Sequence, residues 1–464
     1  MKGISRWSYT PYALLNAEEE TKRFFICQLL PAACGFSLAF RDSVPGRHTL
    51  LYRPRGTEKW QEKPLEGKKA RVSGLTDQTD YEVTVRREDG GQTRVRLVRT
   101  GACPGSVVNY LHPEDEAYAF SGRYLCSPGL LALPGGKLLA TMDVYGPRQA
   151  QNLTLLFEST DGGESWDYLT ELYPCFWGKL FWHQGRVYML GMACEYGDLL
   201  IGVSDDEGRS WSPPVRLFNG SNAQEAGPHK GPMPVILHQG RLYTAIDYGA
   251  WEHGGHDSCI LSADANADLL RPASWHLTQP LAFDRTWPGL PQGPLKGCLE
   301  GNALVAPDGG VVNLLRLQQP AARPCGGQAV MLRYVAADAP LAFDRVVDFP
   351  LGASSKFVAL RDGDAYIAVG NEFYDPSRPA ARNVLSVAVS RDLVSWRIAR
   401  RVVDLRGEDS SLVAFQYPDA QIVGDDLLIL SRTAINGADS YHNSNMITFH
   451  AVRHFRDPAA HRPD

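Results

Sequence analysis

A short phrase that recurs along the chain constrains its fold more than any other feature. Residues 159–166 read Ser-Thr-Asp-Gly-Gly-Glu-Ser-Trp and residues 204–211 read Ser-Asp-Asp-Glu-Gly-Arg-Ser-Trp, each directly after an apolar run. A third, less complete copy lies at 390–396, and a fourth copy, at 262–275, has a longer loop. The aspartate of each full copy can accept hydrogen bonds from turn amides, a glycine supplies positive φ, and the tryptophan covers the turn. The phrase therefore predicts repeated hairpin turns in an array of similar units.

A second repeated element has the spacing of such units. Hairpins of apolar strand, turn and apolar strand follow one another about every 50 to 70 residues, at 128–141, 179–189, 232–246, 301–315, 356–369 and 417–430. This spacing is typical of one blade of a β-propeller, so the hairpins predict a six-bladed β-propeller over residues 102–464. Either 107–110 or 118–120 is expected to close the ring against the last blade.

The N-terminal part has a different pattern. Residues 1–20 are expected to form an arm, and residues 21–101 carry short β patterns separated by turn residues, which predicts a small β-sandwich. The stretch around Tyr81, Leu-Thr-Asp-Gln-Thr-Asp-Tyr-Glu-Val, resembles the fibronectin type III pattern, in which such a tyrosine turns the corner between the sheets. The expected fold class is all-β, a six-bladed propeller preceded by a fibronectin III-like sandwich. The sandwich fits either a carbohydrate-contacting or docking module or a spacer packed on the propeller.

Charge and cysteine content exclude several classes of protein. With 464 residues and a net charge of −5, the chain lacks the basic excess of general nucleic-acid or membrane-surface proteins, so any cationic site must be local. Nine cysteines without a CxxC pair indicate neither a zinc cluster nor a disulfide framework. Residues 1–15 do not resemble a signal peptide, which favours a cytoplasmic protein, or a secreted one whose leader has been removed. No cofactor or metal is expected, and the oligomeric state stays open.

The repeated phrase also resembles a known family. Ser-x-Asp-x-Gly-x-Ser-Trp at the close of a strand is similar to the Asp-box, or BNR repeat, of the sialidase superfamily, whose members are β-propellers. In a propeller the first strand of every blade lines the central channel, so the starts of first strands and the ends of second strands meet at one mouth. The turn spacing places these residues there: Ser127, Lys179, Lys230, Glu300, Lys356, Tyr417, Asp143, Asp247, Arg316, Asn371 and Arg432. So many ionisable groups in one place indicate chemistry.

The resemblance implies roles for some of these residues. Tyr417 stands where sialidases have their nucleophilic tyrosine, and Glu300 opens a strand as the glutamate that takes the phenolic proton does in the family. Asp143 stands at the general-acid position. Arg316 and Arg382 resemble two arginines of the triad that binds the substrate carboxylate. Further contacts to substrate are expected from Arg432, Arg123, Lys230, Lys356, Lys179, Asp247, His229, His253 and His442.

Such a set of residues would perform retaining hydrolysis with a tyrosine nucleophile. The protein is therefore expected to be an exo-acting glycoside hydrolase that removes a terminal acidic sugar. The expected partner is an acidic oligosaccharide or glycoconjugate. One alternative is a lyase or unusual glycosidase acting on uronic-acid glycans, with His229 or His442 as base and Tyr417 as proton donor. A second alternative is a non-catalytic carbohydrate-binding propeller. His253 and His256 lack a third metal ligand at useful spacing, which disfavours a metal site.

Overall fold

The computed structural model describes residues 24–222, 224–250, 255–318, 327–352 and 355–457. These residues form an all-β molecule of antiparallel strands, and the only helical turn among them is the 3₁₀ turn Pro272–Ser274. Within the described ranges no helix has the length and apolar character needed to cross a bilayer.

The N-terminal unit is a pair of packed sheets. Its strands are β1 Phe25–Ala32, β2 Gly35–Arg41, β3 His48–Pro54, β4 Gln61–Leu65, β5 Lys69–Ser73, β6 Asp80–Arg87 and β7 Arg96–Arg99. One sheet has the order β1-β2-β5 and the other β4-β3-β6-β7. The Tyr81 hydroxyl accepts a hydrogen bond from the Thr76 amide at 3.1 Å. Strand β4 was not predicted, because it is an edge strand with exposed polar residues and lacks the apolar alternation that marks a half-buried strand.

The remaining strands form six further sheets. They are β8 Ser106–Tyr110, β9 Tyr124–Ala132, β10 Leu138–Tyr145, β11 Thr154–Ser159, β12 Asp167–Leu172, β13 Phe176–His183, β14 Arg186–Met192, β15 Leu199–Ser204, β16 Val215–Phe218, β17 Gly227–His229, β18 Val235–His238, β19 Arg241–Ala250, β20 Gly255–Asp264 and β21 Trp275–Leu277. The chain continues with β22 Gly297–Val305, β23 Val311–Gln318, β24 Gln328–Arg333, β25 Ala342–Asp348, β26 Val358–Asp362, β27 Ala365–Asn371, β28 Val384–Ser390, β29 Arg397–Asp404, β30 Ala414–Val423, β31 Asp426–Ala434 and β32 Met446–Val452.

These sheets follow the chain order, and we number them 1 to 6. Sheet 1 is β9–β12, sheet 2 β13–β16, sheet 3 β17–β21, sheet 4 β22–β25 and sheet 5 β26–β29. Sheet 6 combines β30, β31 and β32 with β8, where Asn109 pairs with Ile447. The closing strand is therefore the segment at 106–110, whereas the other candidate, 118–120, lies in a turn.

Apolar contacts close the six sheets into a ring. Every neighbouring pair of sheets shares a buried cluster, from the Leu139 and Met189 cluster between sheets 1 and 2 to the Leu428 and Leu125 cluster between sheets 6 and 1. The innermost strands of sheets 6 and 1, β30 and β9, also contact each other. Burial of these faces is the main stabilising contribution to the ring, and it points the starts of the innermost strands toward a common centre.

The N-terminal unit packs on this ring beside sheets 1 and 6. Gln28 Nε2 donates hydrogen bonds to the carbonyl oxygens of Val108 and Trp166, both at 2.8 Å. The Arg41 guanidinium donates to the Tyr168 carbonyl oxygen at 2.7 Å, and the Phe25 and Tyr168 rings pack edge to face. Buried polar and aromatic contacts therefore hold the two units together.

The repeated turns have the hydrogen bonds that their sequence predicts. Asp161 accepts from the Ser165 amide at 3.0 Å, and the Trp166 indole donates to the Gly163 carbonyl oxygen at 3.2 Å. The second copy repeats both contacts at 2.8 and 3.0 Å, and the third at 2.7 and 2.9 Å. In all four copies the turn joins the two outer strands of a sheet, as β11 and β12 are joined in sheet 1. These turns are structural and lie away from the ring centre.

Candidate functional site

Four of the innermost strands share a local irregularity at the ring centre. Ser127 on β9, Trp177 on β13, Glu300 on β22 and Tyr417 on β30 all have φ between 48° and 53°. Each is followed by proline or glycine, and each lies where the pairing with the second strand shifts register. A left-handed conformation at a non-glycine residue costs on the order of 1–3 kcal/mol. Four such residues facing one centre mark a candidate functional site.

These four residues line one cavity. Its volume is about 330 Å³, at the small end of the range for ligand pockets. The lining contains Cys126, Ser127, Tyr145, Pro147, Arg148, Gln151, Trp177, Glu195, His229, Gly231, Pro232, Glu300, Arg316, Lys356, Tyr417, Arg432 and His442. Strands from sheets 1, 2, 4 and 6 therefore contribute residues to the same space.

Three guanidinium groups surround the Tyr417 ring. The guanidinium carbons of Arg316, Arg382 and Arg432 lie 5.8, 5.3 and 5.2 Å from its centroid. Arg316 also forms an ion pair with Glu300, with 2.6 Å between Nε and Oε2. All three arginines are at most 6% exposed. The structure thus brings five of the residues named from sequence into one buried, strongly cationic group.

Hydrogen bonds from neighbouring residues hold two of these arginines in place. Arg382 Nη1 donates to Gln416 Oε1 at 2.5 Å, and the Gln416 amide in turn donates to the Tyr441 carbonyl oxygen. Arg432 Nη2 donates to the His442 carbonyl oxygen, and its guanidinium lies 5.2 Å from the Tyr145 ring centroid. The loop between β31 and β32 therefore orients the arginines from above the cavity.

Asp143 and Asp247 sit beneath the cavity wall. Asp143 Oδ2 accepts a hydrogen bond from the Trp177 amide at 2.7 Å, and Asp247 Oδ2 accepts one from the Glu300 amide at 2.8 Å. Each carboxyl thus supports a left-handed residue of the next sheet. Burial raises the pKa of Asp143 to about 8 and that of Asp247 to about 6. Neither lines the cavity, and the Asp143 oxygens accept hydrogen bonds from the Thr154 hydroxyl and the Trp177 amide, so its role as proton donor to substrate stays a prediction.

Histidines and aromatic rings form the wall on the side of sheet 3. His229 lines the cavity, with its ring 4.4 Å from that of Trp177 and 4.5 Å from that of His256. His229 Nδ1 lies 3.4 Å from Asp247 Oδ2. Burial lowers the pKa of His229 to about 4, so the ring is neutral at ordinary pH. His442 also lines the cavity, and burial together with the charges of Arg432 and Arg382 lowers its pKa to about 2.

Three of the expected substrate contacts lie elsewhere. Arg123 does not line the cavity and pairs at 3.0 Å with Glu116, because it precedes β9 by one residue and its side chain is 42% exposed. Lys179 and Lys230 are buried near the axis and do not line the cavity, whereas Lys356 does. His253 lies outside the described residues.

Several lining residues were not predicted as part of a site. Glu195 lies in the loop between β14 and β15 and accepts a hydrogen bond from Gln151 Nε2 at 3.0 Å. Arg148 and Gln151 come from the loop between β10 and β11, and the exposed Arg148 stands at the rim. Loops carry no periodic pattern, so these loop residues had no signal in the sequence. Trp177 had a signal, because a glycine follows it in the position that Pro418 occupies after Tyr417.

Comparison with known proteins places the chain among related sequences and folds. Residues 182–429 match the model of the BNR repeat-like domain family. No curated protein sequence matches the chain. The structure is similar to that of the Hadza microbial sialidase Hz136, with a TM-score of 0.50 and 13% identity over 92% of this chain and 93% of that one. At this identity the similarity shows a shared fold.

Two more distant structures complete the comparison. The α-L-arabinanase of Penicillium chrysogenum has a TM-score of 0.49 and 13% identity, over 76% of this chain and 99% of that one. A polysaccharide lyase of family PL25, an ulvan lyase, has a TM-score of 0.43 and 13% identity, over 95% of this chain and 99% of that one.

Proposed function

Because this chain belongs to the BNR repeat-like family, as a divergent member of the β-propellers that include sialidases, we propose that its six sheets are the blades of a six-bladed propeller with glycosidase activity. The activity we propose is that of an exo-acting glycoside hydrolase that removes a terminal acidic sugar from an oligosaccharide or glycoconjugate. The observation that carries this proposal is the group of three arginines around Tyr417, with Glu300 paired to one of them.

The arginines supply the selectivity for an acidic sugar. A guanidinium binds a carboxylate through two parallel hydrogen bonds, and such charge-assisted bonds are stronger where water is excluded. Arg316, Arg382 and Arg432 are buried, and Arg316 forms an ion pair with Glu300. A ligand carboxylate would therefore meet three guanidinium groups in a setting from which water is largely excluded.

Tyr417 and Glu300 are the nucleophile and base in this proposal. The Tyr417 oxygen forms a bond to the anomeric carbon while its proton passes to the Glu300 carboxylate, and the bond to the leaving oxygen breaks. Tyrosine is a weak nucleophile until a base takes its proton. Arg316 contacts both groups, since its guanidinium pairs with Glu300 and faces the Tyr417 ring. A neutral attacking group also avoids repulsion by the substrate carboxylate.

Glu195 is the residue best placed to protonate the leaving oxygen. It lines the cavity on the loop after β14, whereas the Asp143 carboxyl lies behind Trp177. In the second step its carboxylate takes a proton from the water that releases the sugar from Tyr417. One carboxyl serving as acid and then as base is the usual arrangement in retaining glycosidases.

The unit boundaries belong to the same proposal. We assign residues 21–101 to a fibronectin III-like sandwich and 102–464 to the propeller, while the arm expected at 1–20 lies outside the described residues. The sheet orders β1-β2-β5 and β4-β3-β6-β7 and the Tyr81 hydrogen bond support the sandwich assignment. Its packing against Val108 and Tyr168 favours a spacer held on the propeller.

A lyase acting on uronic-acid glycans is the second candidate, and the state of His229 favours it. A neutral imidazole beside Asp247 in the cavity wall is suited to remove a proton from carbon. Tyr417 would then protonate the leaving oxygen, and the arginines would neutralise the uronate. Both reactions use the same cavity, so the products must separate them.

The test is an incubation of the full chain with oligosaccharides that end in sialic, keto-deoxy or uronic acids. Hydrolysis adds one water to the products, which mass spectrometry detects, and leaves no new ultraviolet absorbance. The Tyr417→Phe variant keeps the ring that the arginines contact and removes only the hydroxyl, so we expect it to fold and to lose turnover. Tyr334→Phe, directly after β24 and away from the cavity, is the matched control.

Each other outcome has a defined meaning. A lyase would give products without added water and a rising absorbance from a new carbon–carbon double bond. In that case His229→Ala should lose activity. Binding of an acidic sugar without turnover would identify a carbohydrate-binding propeller. Full activity of Tyr417→Phe would refute the nucleophile assignment.

A further inference from the structure

Three buried lysines, one of them in the cavity lining, have no part in the proposed hydrolysis. Lys179 is on β13, Lys230 follows β17 and Lys356 precedes β26, so each comes from a different sheet. Their exposed fractions are 3%, 0% and 2%. A buried lysine is unusual unless its charge is paired.

Their partners are unequal. Lys179 forms an ion pair with the fully buried Asp419. Lys356 Nζ donates to the Pro418 carbonyl oxygen at 2.6 Å, and Lys230 Nζ donates to that of Gly231 at 2.7 Å. Within the described part of the chain, neither Lys230 nor Lys356 forms an ion pair with a carboxylate.

Direct ion pairs therefore balance only part of the charge of these buried lysines. Desolvation lowers the pKa of Lys356 to about 8, and that of Lys230 falls well below its ordinary value, with the neighbouring lysines adding to the effect. Asp143 adds little negative charge, since its raised pKa keeps it largely protonated at neutral pH. Asp419, with Asp247 near Lys230 and Glu300 near Lys356, partly opposes the lowering of the two lysine pKa values. An anionic group on the cavity floor would offset the charge that burial leaves unpaired.

Lys356 is the lysine that such a group can reach. It lines the cavity together with Glu300, Arg316 and Tyr417. An ammonium has three N–H donors, and among the described residues Pro418 accepts from one of them. The other N–H groups of the Lys356 ammonium suit a compact oxyanion, which offers several acceptor oxygens to a concentrated positive charge.

We propose that the cavity floor is a second anion subsite, where Lys356, backed by Lys230 and Lys179, binds a sulfate or phosphate group separately from the carboxylate at the arginines. The group is either an ester on the terminal sugar or a free ion. The subsite rests on the proposed function only in assigning the arginines to the substrate carboxylate.

Calorimetric titration of the full chain with inorganic sulfate and with glucuronate tests the subsite without turnover. We expect sulfate to bind with the same affinity in the presence of saturating glucuronate, because the two occupy different groups. Lys356→Met should weaken sulfate binding at least about tenfold, whereas the matched surface variant Lys296→Met should not change it. Sulfate binding that glucuronate abolishes, or that Arg382→Met removes and Lys356→Met leaves intact, overturns the proposal. The competition needs no variant and decides the question if Lys356→Met does not fold.

Matched substrates separate the two sources of the oxyanion. Oligosaccharides with and without a sulfate ester on the terminal acidic sugar should differ in kcat/KM if the ester is the ligand, and Lys356→Met should remove the difference. Equal kcat/KM with binding of free sulfate would identify a free ion. Hydrolysis without any effect of sulfate would refute the anion subsite and support the proposed hydrolase. Sulfate binding without turnover would support the subsite and refute the hydrolase.

Discussion

Asp143→Asn should change how the stability of the protein depends on pH. Asp143 accepts hydrogen bonds from the Thr154 hydroxyl at 2.5 Å and from the Trp177 amide at 2.7 Å. Asparagine retains a carbonyl oxygen for the Trp177 amide, and its NH₂ group can donate to the Thr154 oxygen. The substitution therefore keeps the hydrogen-bond geometry and removes only the capacity to ionise.

The magnitude follows from the raised pKa. The ordinary value is 3.8, and burial raises the pKa of Asp143 to about 8 in the folded protein. Between these limits the folded state holds a proton that the unfolded state has lost, so stability falls as pH rises, by about 1.4 kcal/mol per pH unit. This loss of stability is absent at pH values below the pKa of Asp143 in the unfolded chain and complete at pH values above its pKa in the folded protein. From pH 5 to pH 7 the stability of Asp143→Asn relative to wild type should rise by about 2.7 kcal/mol.

Urea unfolding of both proteins at several pH values between 5 and 7 measures this difference. Asp247 has the same sign of shift, but it is present in both proteins and cancels. Asp338→Asn, at an exposed carboxyl, is the control and should show a constant difference. A difference for Asp143→Asn that does not vary with pH would refute the reasoning, because it would mean that the buried carboxyl is ionised. Loss of turnover with the expected stability change would instead assign Asp143 to acid catalysis.

Three further predictions concern the site and the repeated turns. Glu195→Gln should lower kcat by about 10²- to 10⁴-fold on substrates with poor leaving groups and much less on activated aryl glycosides, as steady-state kinetics would show; equal losses on both would exclude an acid role. Arg382→Lys should raise KM for an acidic sugar at least about tenfold, because lysine cannot form the paired hydrogen bonds and loses the contact to Gln416, and an unchanged KM would contradict the clamp. Asp161→Ala removes the acceptor for the Ser165 amide and should lower the free energy of unfolding by about 1–2 kcal/mol in urea, with KM unchanged; a change in KM would place this turn in the site.

Much of the candidate site could be located from sequence because it follows from repeat spacing. Tyr417, Glu300 and Arg316 were named as axial residues from their distance to a turn, and the structure brings them to one cavity with Arg432, while Arg382 contacts the Tyr417 ring. Their chemical roles stay predictions. A regular repeat converts chain position into spatial position, which is why counting was sufficient for these residues.

The positions of other residues depend on a local backbone turn or on a loop, which repeat spacing does not describe. Arg123 lies one residue before β9 and points to solvent, and Asp143 faces the next sheet instead of the cavity. Glu195 and Arg148 reach the rim from loops whose course no periodic pattern describes. The extra strand Gln61–Leu65 is defined by pairing with β3 and not by its own apolar pattern.

The sequence by itself determined the features that depend on neighbouring residues: the repeated turns, the alternating strands and the spacing of the units. Tertiary structure alone decided which side chains meet. Left-handed residues such as Glu300 and Tyr417 are held at the axis by contacts from other sheets, as when Asp247 accepts the Glu300 amide from 53 positions earlier in the chain. The physical reason is range: turns are stabilised by hydrogen bonds within a few residues, whereas burial and the pKa of a buried group depend on whatever the fold packs against it.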